Sequence, residues 1–153
     1  MRIAVINGPN LNLLGTREPE VYGKDTLHDL ERHLNDLGAE LGVRVECFQS
    51  NHEGALIDYL HGLPRKADAV VINPGGLTHT SVVLRDALVG IGLPVYEVHI
   101  SNIHTREEFR RHSFISGIAR GVICGMGLRG YEYAVREAAA SAPAKKAAAP
   151  RKK

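Results

Sequence analysis

The chain has 153 residues, a formal net charge of +2, two cysteines and 44% hydrophobic residues. That length suits one domain able to bury its own core, and two cysteines in apolar runs, Cys47 and Cys124, exclude a disulfide scaffold and read as reduced, buried thiols. No apolar stretch approaches the roughly 20 residues that span a bilayer, and Met1-Arg2-Ile3-Ala4-Val5-Ile6 enters a strand-like run without signal-peptide anatomy, so a cytoplasmic protein is expected.

The charge is unevenly placed. Lys145, Lys146, Arg151, Lys152 and Lys153 close the chain, and the remainder carries 14 basic and 17 acidic residues. A mildly acidic body argues against a folded nucleic-acid-binding face, which needs clustered Lys and Arg. Neither nucleic acid nor membrane is expected as a partner.

In chain order, Arg2–Asn7 reads as a buried strand. The polar, glycine-bounded segment from Gly15 to Gly23 follows, carries Arg17 and Tyr22, and reads as a flap over the strand end. Thr26 and Asp29 form a capping pair for a helix whose Leu27, Leu30, Leu34, Leu37 and Leu41 share one face, with Gly42 as its stop. Arg44–Gln49 is the second strand, and a helix starting near Glu53 holds Leu56, Ile57 and Leu60. Asp68–Asn73 is the third strand. The helix after the Gly75-Gly76 turn faces Val83, Leu84, Ala87 and Leu88 inward and ends at Gly92. Pro94–Ile100 is the fourth strand. Behind it, Thr105-Arg106-Glu107-Glu108 has capping-box spacing and opens a short polar helix. Gly121–Gly125 is the fifth strand, and a last helix runs from near Leu128 to about Ala140. The Ala/Pro/Lys-rich end divides a domain of residues 1–140 from a disordered tail, 141–153.

Strict alternation of strand and helix predicts an α/β fold: a flavodoxin-like, doubly wound, five-stranded parallel sheet in three α/β/α layers. Ligands of such folds bind beyond the C-terminal ends of the strands. Asn10, Asn73, His79, His99, Ser101 and Asn102 all follow or end strands and are expected to converge on one crevice. Glu97 and His99 lie two apart on one strand and so face the same side. A carboxylate behind an imidazole orients the ring and favours its protonated form, which suits a general acid.

Other chemistries find little support. Gly125-Met126-Gly127-Leu128-Arg129-Gly130 matches a dinucleotide-binding pattern, but it follows the last strand with no later acid to bind a ribose. These glycines read as a tight strand-to-helix turn. No Thr/Ser-rich phosphate loop follows the first strand, and neither a G-x-x-x-x-G-K-[ST] loop nor a Gly-x-Ser-x-Gly elbow occurs. The eight histidines show no metal-ligand spacing. Outside the tail only Lys24 and Lys66 occur, so a Schiff base has poor candidates.

Six motifs in order carry a resemblance. Gly8-Pro9-Asn10-Leu11-Asn12-Leu13-Leu14-Gly15, Arg17-Glu18-Pro19-Glu20-Val21-Tyr22-Gly23, Gln49-Ser50-Asn51-His52-Glu53-Gly54, Asn73-Pro74-Gly75, Thr78-His79-Thr80-Ser81-Val82 and Glu97-Val98-His99-Ile100-Ser101-Asn102 have the spacing of type II 3-dehydroquinate dehydratases. The similarity runs from about Ile3 to Tyr133. It departs at Gly76-Leu77, where many members have Ala and an aromatic residue, and in the basic tail. The resemblance implies reversible dehydration of 3-dehydroquinate to 3-dehydroshikimate without cofactor or metal, in a homododecamer built as a tetramer of trimers. It implies that Tyr22 is the base, Arg17 the cation favouring tyrosinate, Asn10 the holder of a water at the enolate oxygen, and His99, oriented by Glu97, the acid. Asn73, His79, Arg110, Ser101 and the backbone amides of Ile100 and Ser101 would hold the substrate, with Asp86 reaching into a neighbouring subunit's site.

The chemistry fits those residue types. Losing water from a β-hydroxy ketone needs a base, an acid and stabilisation of the enolate between. Holding a tyrosine ionised at pH 7 costs about 4 kcal/mol unaided. A nearby guanidinium, always charged, offsets much of that.

Overall fold

A computed structural model of the chain describes residues 1–16 and 24–141. The segment holding Arg17 and Tyr22 lies outside the described residues, as does the expected tail apart from Ser141. Among the described residues, five strands and four α-helices run in the order β1 (Arg2–Asn7), α1 (Leu27–Leu41), β2 (Arg44–Gln49), α2 (Glu53–His61), β3 (Ala69–Asn73), α3 (Val82–Gly90), β4 (Val95–His99), β5 (Gly121–Cys124) and α4 (Arg129–Ala140), with only 3-10 turns between β4 and β5. All neighbours pair parallel in the order β2-β1-β3-β4-β5, the flavodoxin-like winding expected from the alternation.

Side-chain alternation divides the core between two faces. Ile3, Val5, Val71 and Val98 pack with Leu30, Leu34 and Leu37 of α1 and Tyr131, Ala134 and Val135 of α4. Ala4, Ile6, Val70 and Ile72 pack with Leu56 and Leu60 of α2 and Leu84 and Leu88 of α3. With both faces covered, the central strands are apolar throughout rather than alternating. Thr26 caps α1 in a complete capping box with Asp29, and Gly42 ends that helix in the left-handed region at φ +68°.

Three expectations change. Val83 is exposed, because Ser81 caps α3 so that Leu84, Ala87 and Leu88 face the sheet. The polar segment after β4 is two short 3-10 turns, Ile103–Thr105 and Glu108–Arg111, rather than one helix. Its cap is Asn102, whose Oδ1 accepts the His104 N–H at 3.1 Å, while the Thr105 hydroxyl donates back to the Asn102 carbonyl. Third, Cys47 and Cys124 are free but only half-buried. Gly125 and Gly127, at φ +82° and +59°, do form the tight turn that leads into α4.

The strand order reverses between β1 and β3, and there the two exit loops lie back to back. Asn7 pairs in register with Asn73 on one side and Gln49 on the other. The Gly8 N–H donates to the Asn73 carbonyl at 2.8 Å. A Cβ on Gly8 would stand 2.5 Å from the Pro74 carbonyl oxygen, which is backbone and cannot swing away. Gly8→Ala is therefore expected to lower stability by about 1–3 kcal/mol through overpacking. Urea unfolding checks this; an unchanged midpoint would show that the loops separate without cost.

Candidate active site

The strand ends and the segment after β4 enclose a cavity of about 220 Å³, lined among others by Asn10, Asn73, His79, His99, Ile100, Ser101, Arg106 and Arg110. Most of the expected polar residues thus meet in one crevice. Asn102 does not line it, because its side chain caps the first 3-10 turn. Asp86 lies on α3 away from the cavity, exposed and paired with Arg85 at 3.2 Å. Arg106 lines the cavity although its capping-box position marked it only as a helix start. Leu11, Leu13, Leu14 and Ile103 supply an apolar wall.

Asn10 sits at φ +70°, a left-handed conformation that asparagine tolerates better than most residues. Its N–H donates to Asn51 Oδ1 at 2.9 Å, and Gln49 Nε2 donates to the same oxygen at 3.1 Å. The loop after β2 thus holds the Asn10 backbone, and the Asn10 side chain makes no cap bond to the turn it opens.

Asn73 is held from beneath. Its Nδ2 donates to the Tyr131 hydroxyl at 2.8 Å, which donates in turn to Asn7 Oδ1 at 2.6 Å. Its own Oδ1 accepts the Gly75 N–H at 3.1 Å. Tyr131 is fully buried, and burial pushes its phenol well above the usual range, so it stays a neutral relay between two amides. The sequence placed Tyr131 only within the span of the last helix; its polar role depends on the chain meeting itself across 124 residues.

His99 Nε2 lies 2.8 Å from Glu97 Oε1, with both side chains buried. A carboxylate only accepts, so Nε2 carries the proton and Nδ1 is the other ring nitrogen. Burial raises the Glu97 pKa, but bonds from His99, Ser116 and Thr78 outweigh it and bring the group down to about 2. His79 donates from Nδ1 to the His112 carbonyl at 2.7 Å, and its ring stacks 6.5 Å from that of His99. Across the cavity, Arg110 Nε bonds Glu107 at 2.8 Å, and Arg106 lies 3.6 Å from the same carboxylate oxygen. Two guanidiniums against one carboxylate leave this wall with net positive charge. Among the described residues, no group of three His, Cys, Asp or Glu is placed to hold a metal ion.

The family model for class II dehydroquinases matches residues 1–139. The chain belongs to that family. It is 60% identical over 136 residues to catabolic 3-dehydroquinase 2 of Aspergillus flavus, covering 89% of this chain and 91% of that protein. It is 58% identical over 139 residues to 3-dehydroquinate dehydratase of Variovorax paradoxus, covering 88% and 95%. The crystal structure of type II dehydroquinase from Butyrivibrio crossotus superposes with a TM-score of 0.88 at 45% identity, over 90% of this chain and 97% of that one. A class II dehydroquinase fold thus carries the crevice.

The depressed pKa of Glu97 makes stability depend on acid. Its contribution is complete above its unfolded value of about 4.3 and is lost as pH falls toward about 2. Between those limits the native chain should lose on the order of 3 kcal/mol more than Glu97→Gln does. Urea unfolding at stepped pH measures this; equal acid sensitivity in the two proteins is the contrary result.

Proposed function

We propose that this protein is a 3-dehydroquinate dehydratase, removing water reversibly from 3-dehydroquinate to give 3-dehydroshikimate through an enolate. The observation that carries this reading is a buried Glu97–His99 pair at the wall of an arginine-lined cavity, in a chain of the class II dehydroquinase family. The reaction is a step of the shikimate pathway to aromatic amino acids and of quinate breakdown; the names of the similar proteins fit either setting.

Tyr22 removes the proton beside the ketone, and Arg17 favours its ionised form. Asn10 holds a water against the enolate oxygen, spreading the charge that develops there. His99 protonates the departing hydroxyl, because hydroxide is a poor leaving group. Asn73, His79, Ser101 and the Ile100 and Ser101 amides bind the substrate's hydroxyls and carboxylate. Arg110 meets the carboxylate by charge-assisted bonds, with Arg106 beside it. Each step uses a side chain or a held water, so the scheme calls on no cofactor or metal.

The active particle is a cytoplasmic homododecamer, a tetramer of trimers. Val82, Val83 and Val89 stand exposed on α3 beside Asp86, an apolar face that suits cover by another subunit and would bring Asp86 to a neighbour's site. No helix among the described residues is long and apolar enough to cross a membrane. Residues 1–140 carry the activity and 141–153 are an appendage.

Mixing the chain with 3-dehydroquinate should produce the ultraviolet absorbance of a conjugated enone. Tyr22→Phe should abolish turnover in a folded protein that still binds substrate. His99→Ala should slow water loss roughly 10²–10⁴-fold while spared proton exchange at the neighbouring carbon continues; elimination at the native rate would place the acid elsewhere. Deleting residues 141–153 should leave both the rate and the number of subunits per sedimenting particle unaltered, and a large loss of either would contradict the appendage.

A further inference from the structure

We propose that Thr78, Ser113 and Ser116 are positioning residues that lock Glu97 as the anion behind His99 and seat the arginine-bearing segment against the catalytic strand. The inference rests on the reading of His99 as the acid.

A carboxylate with no solvent exposure takes up a proton unless its oxygens are bonded. Glu97 is fully buried, and both its oxygens are bonded. Oε1 accepts from Thr78 Oγ1 at 2.5 Å, from Ser113 Oγ at 2.9 Å and from His99 Nε2 at 2.8 Å. Oε2 accepts from the Ser116 hydroxyl.

The direction of the bonds can be worked out. Ser113 Oγ accepts the backbone N–H groups of Ile115 at 3.0 Å and Ser116 at 2.9 Å. Both lone pairs of that hydroxyl are therefore occupied, and its single proton points outward, shared between Glu97 Oε1 at 2.9 Å and Thr78 Oγ1 at 2.7 Å. Ser113 has nothing left with which to accept a proton from a neutral Glu97. The backbone turn thus polarises the serine as a donor, and the serine selects the ionised carboxylate.

The same contacts lace two segments together. The Phe114 N–H donates to the Thr78 carbonyl at 2.8 Å, beside the His79–His112 bond. Residues 112–116 are thereby fixed on the loop after β3, and Arg110 lies just before them on its 3-10 turn. An anion under His99 and a cation across the cavity are positioned by one cluster of hydroxyls. The charged and titratable groups that line the cavity beside this cluster are His99 on β4, His79 after β3, and Arg106 and Arg110 on the segment after β4, and His112 precedes Ser113 with its carbonyl bonded to His79.

Ser113→Ala would also uncap two backbone N–H groups, so the test uses Thr78→Val, nearly isosteric, and Ser116→Ala, at a half-buried position. Carbon-13 NMR of the Glu97 carboxyl, assigned by its loss in Glu97→Gln, reads ionisation without substrate. Both variants should raise the Glu97 midpoint by about one pH unit, the scale of one lost bond to a charged group. At neutral pH the carboxylate stays ionised in either variant, so the loss falls on how firmly it holds the His99 ring: both should lower kcat roughly tenfold, the scale of one bond to a charged group, with KM within about twofold of the native value, and Thr78→Ser should restore both the midpoint and kcat. A Glu97 midpoint unmoved in both variants would overturn the proposal, as would a kcat loss that Thr78→Ser does not repair. Failure of the native chain to dehydrate 3-dehydroquinate would instead count against the functional reading, while the carboxyl titration still decides the lock.

Discussion

A single buried anion organises the site. Glu97 lies on a central strand with no access to water, where an unpaired charge would be strongly unfavourable. Four side-chain donors keep it ionised, and they come from three separate stretches of chain: β4, the turn after β3 and the segment that follows the polar 3-10 turns. Because the carboxylate cannot be left without those donors, the three stretches must converge. The requirement that stabilises the fold locally therefore also aligns His99 with the cavity wall that carries Arg106 and Arg110.

The sheet supplies the rigid base for this arrangement. Winding in the order β2-β1-β3-β4-β5 leaves a gap beyond the ends of β1 and β3, whose exit loops lie back to back. The gap is not filled by apolar packing but floored by polar groups, with Asn7, Tyr131 and Asn73 hydrogen-bonded in line. Close approach of Gly8 to Pro74 holds the loops at a spacing that side chains with a Cβ would enlarge. Asn10 and Asn73 thus reach the crevice from backbones that have little freedom to move.

Electrostatically the crevice is divided. One wall pairs an acid-competent imidazole with a fixed anion; the other presents two guanidiniums sharing one glutamate. In the proposed reaction an anionic substrate meets the second wall and is turned toward the first. Separating the two signs of charge across a small cavity gives the substrate one favourable orientation, and orientation lowers the barrier of a reaction that needs an acid at one particular carbon.

Much of this was legible in the chain itself. Valine- and isoleucine-rich runs, the Thr26–Asp29 capping box and the Gly42 stop announced the alternating fold, because each depends on contacts within a few residues. The Glu97–His99 pair was readable for the same reason: a strand's period of two puts both on one side. Arg17 and Tyr22 were recognisable by motif alone. Ser113, Ser116 and Tyr131 carried no such signal, and Thr78 stood in a motif without a role of its own, since hydroxyls are common in turns and the last helix shows a tyrosine no partner. The capping-box spacing at Thr105 misled because Asn102, three residues earlier, took the cap. Local hydrogen-bonding and periodicity therefore determined the elements and the Glu97–His99 pair, whereas the donors that keep Glu97 charged were decided only when distant segments met, because a hydroxyl's partner is set by what the fold brings within 3 Å of it and not by its neighbours along the chain.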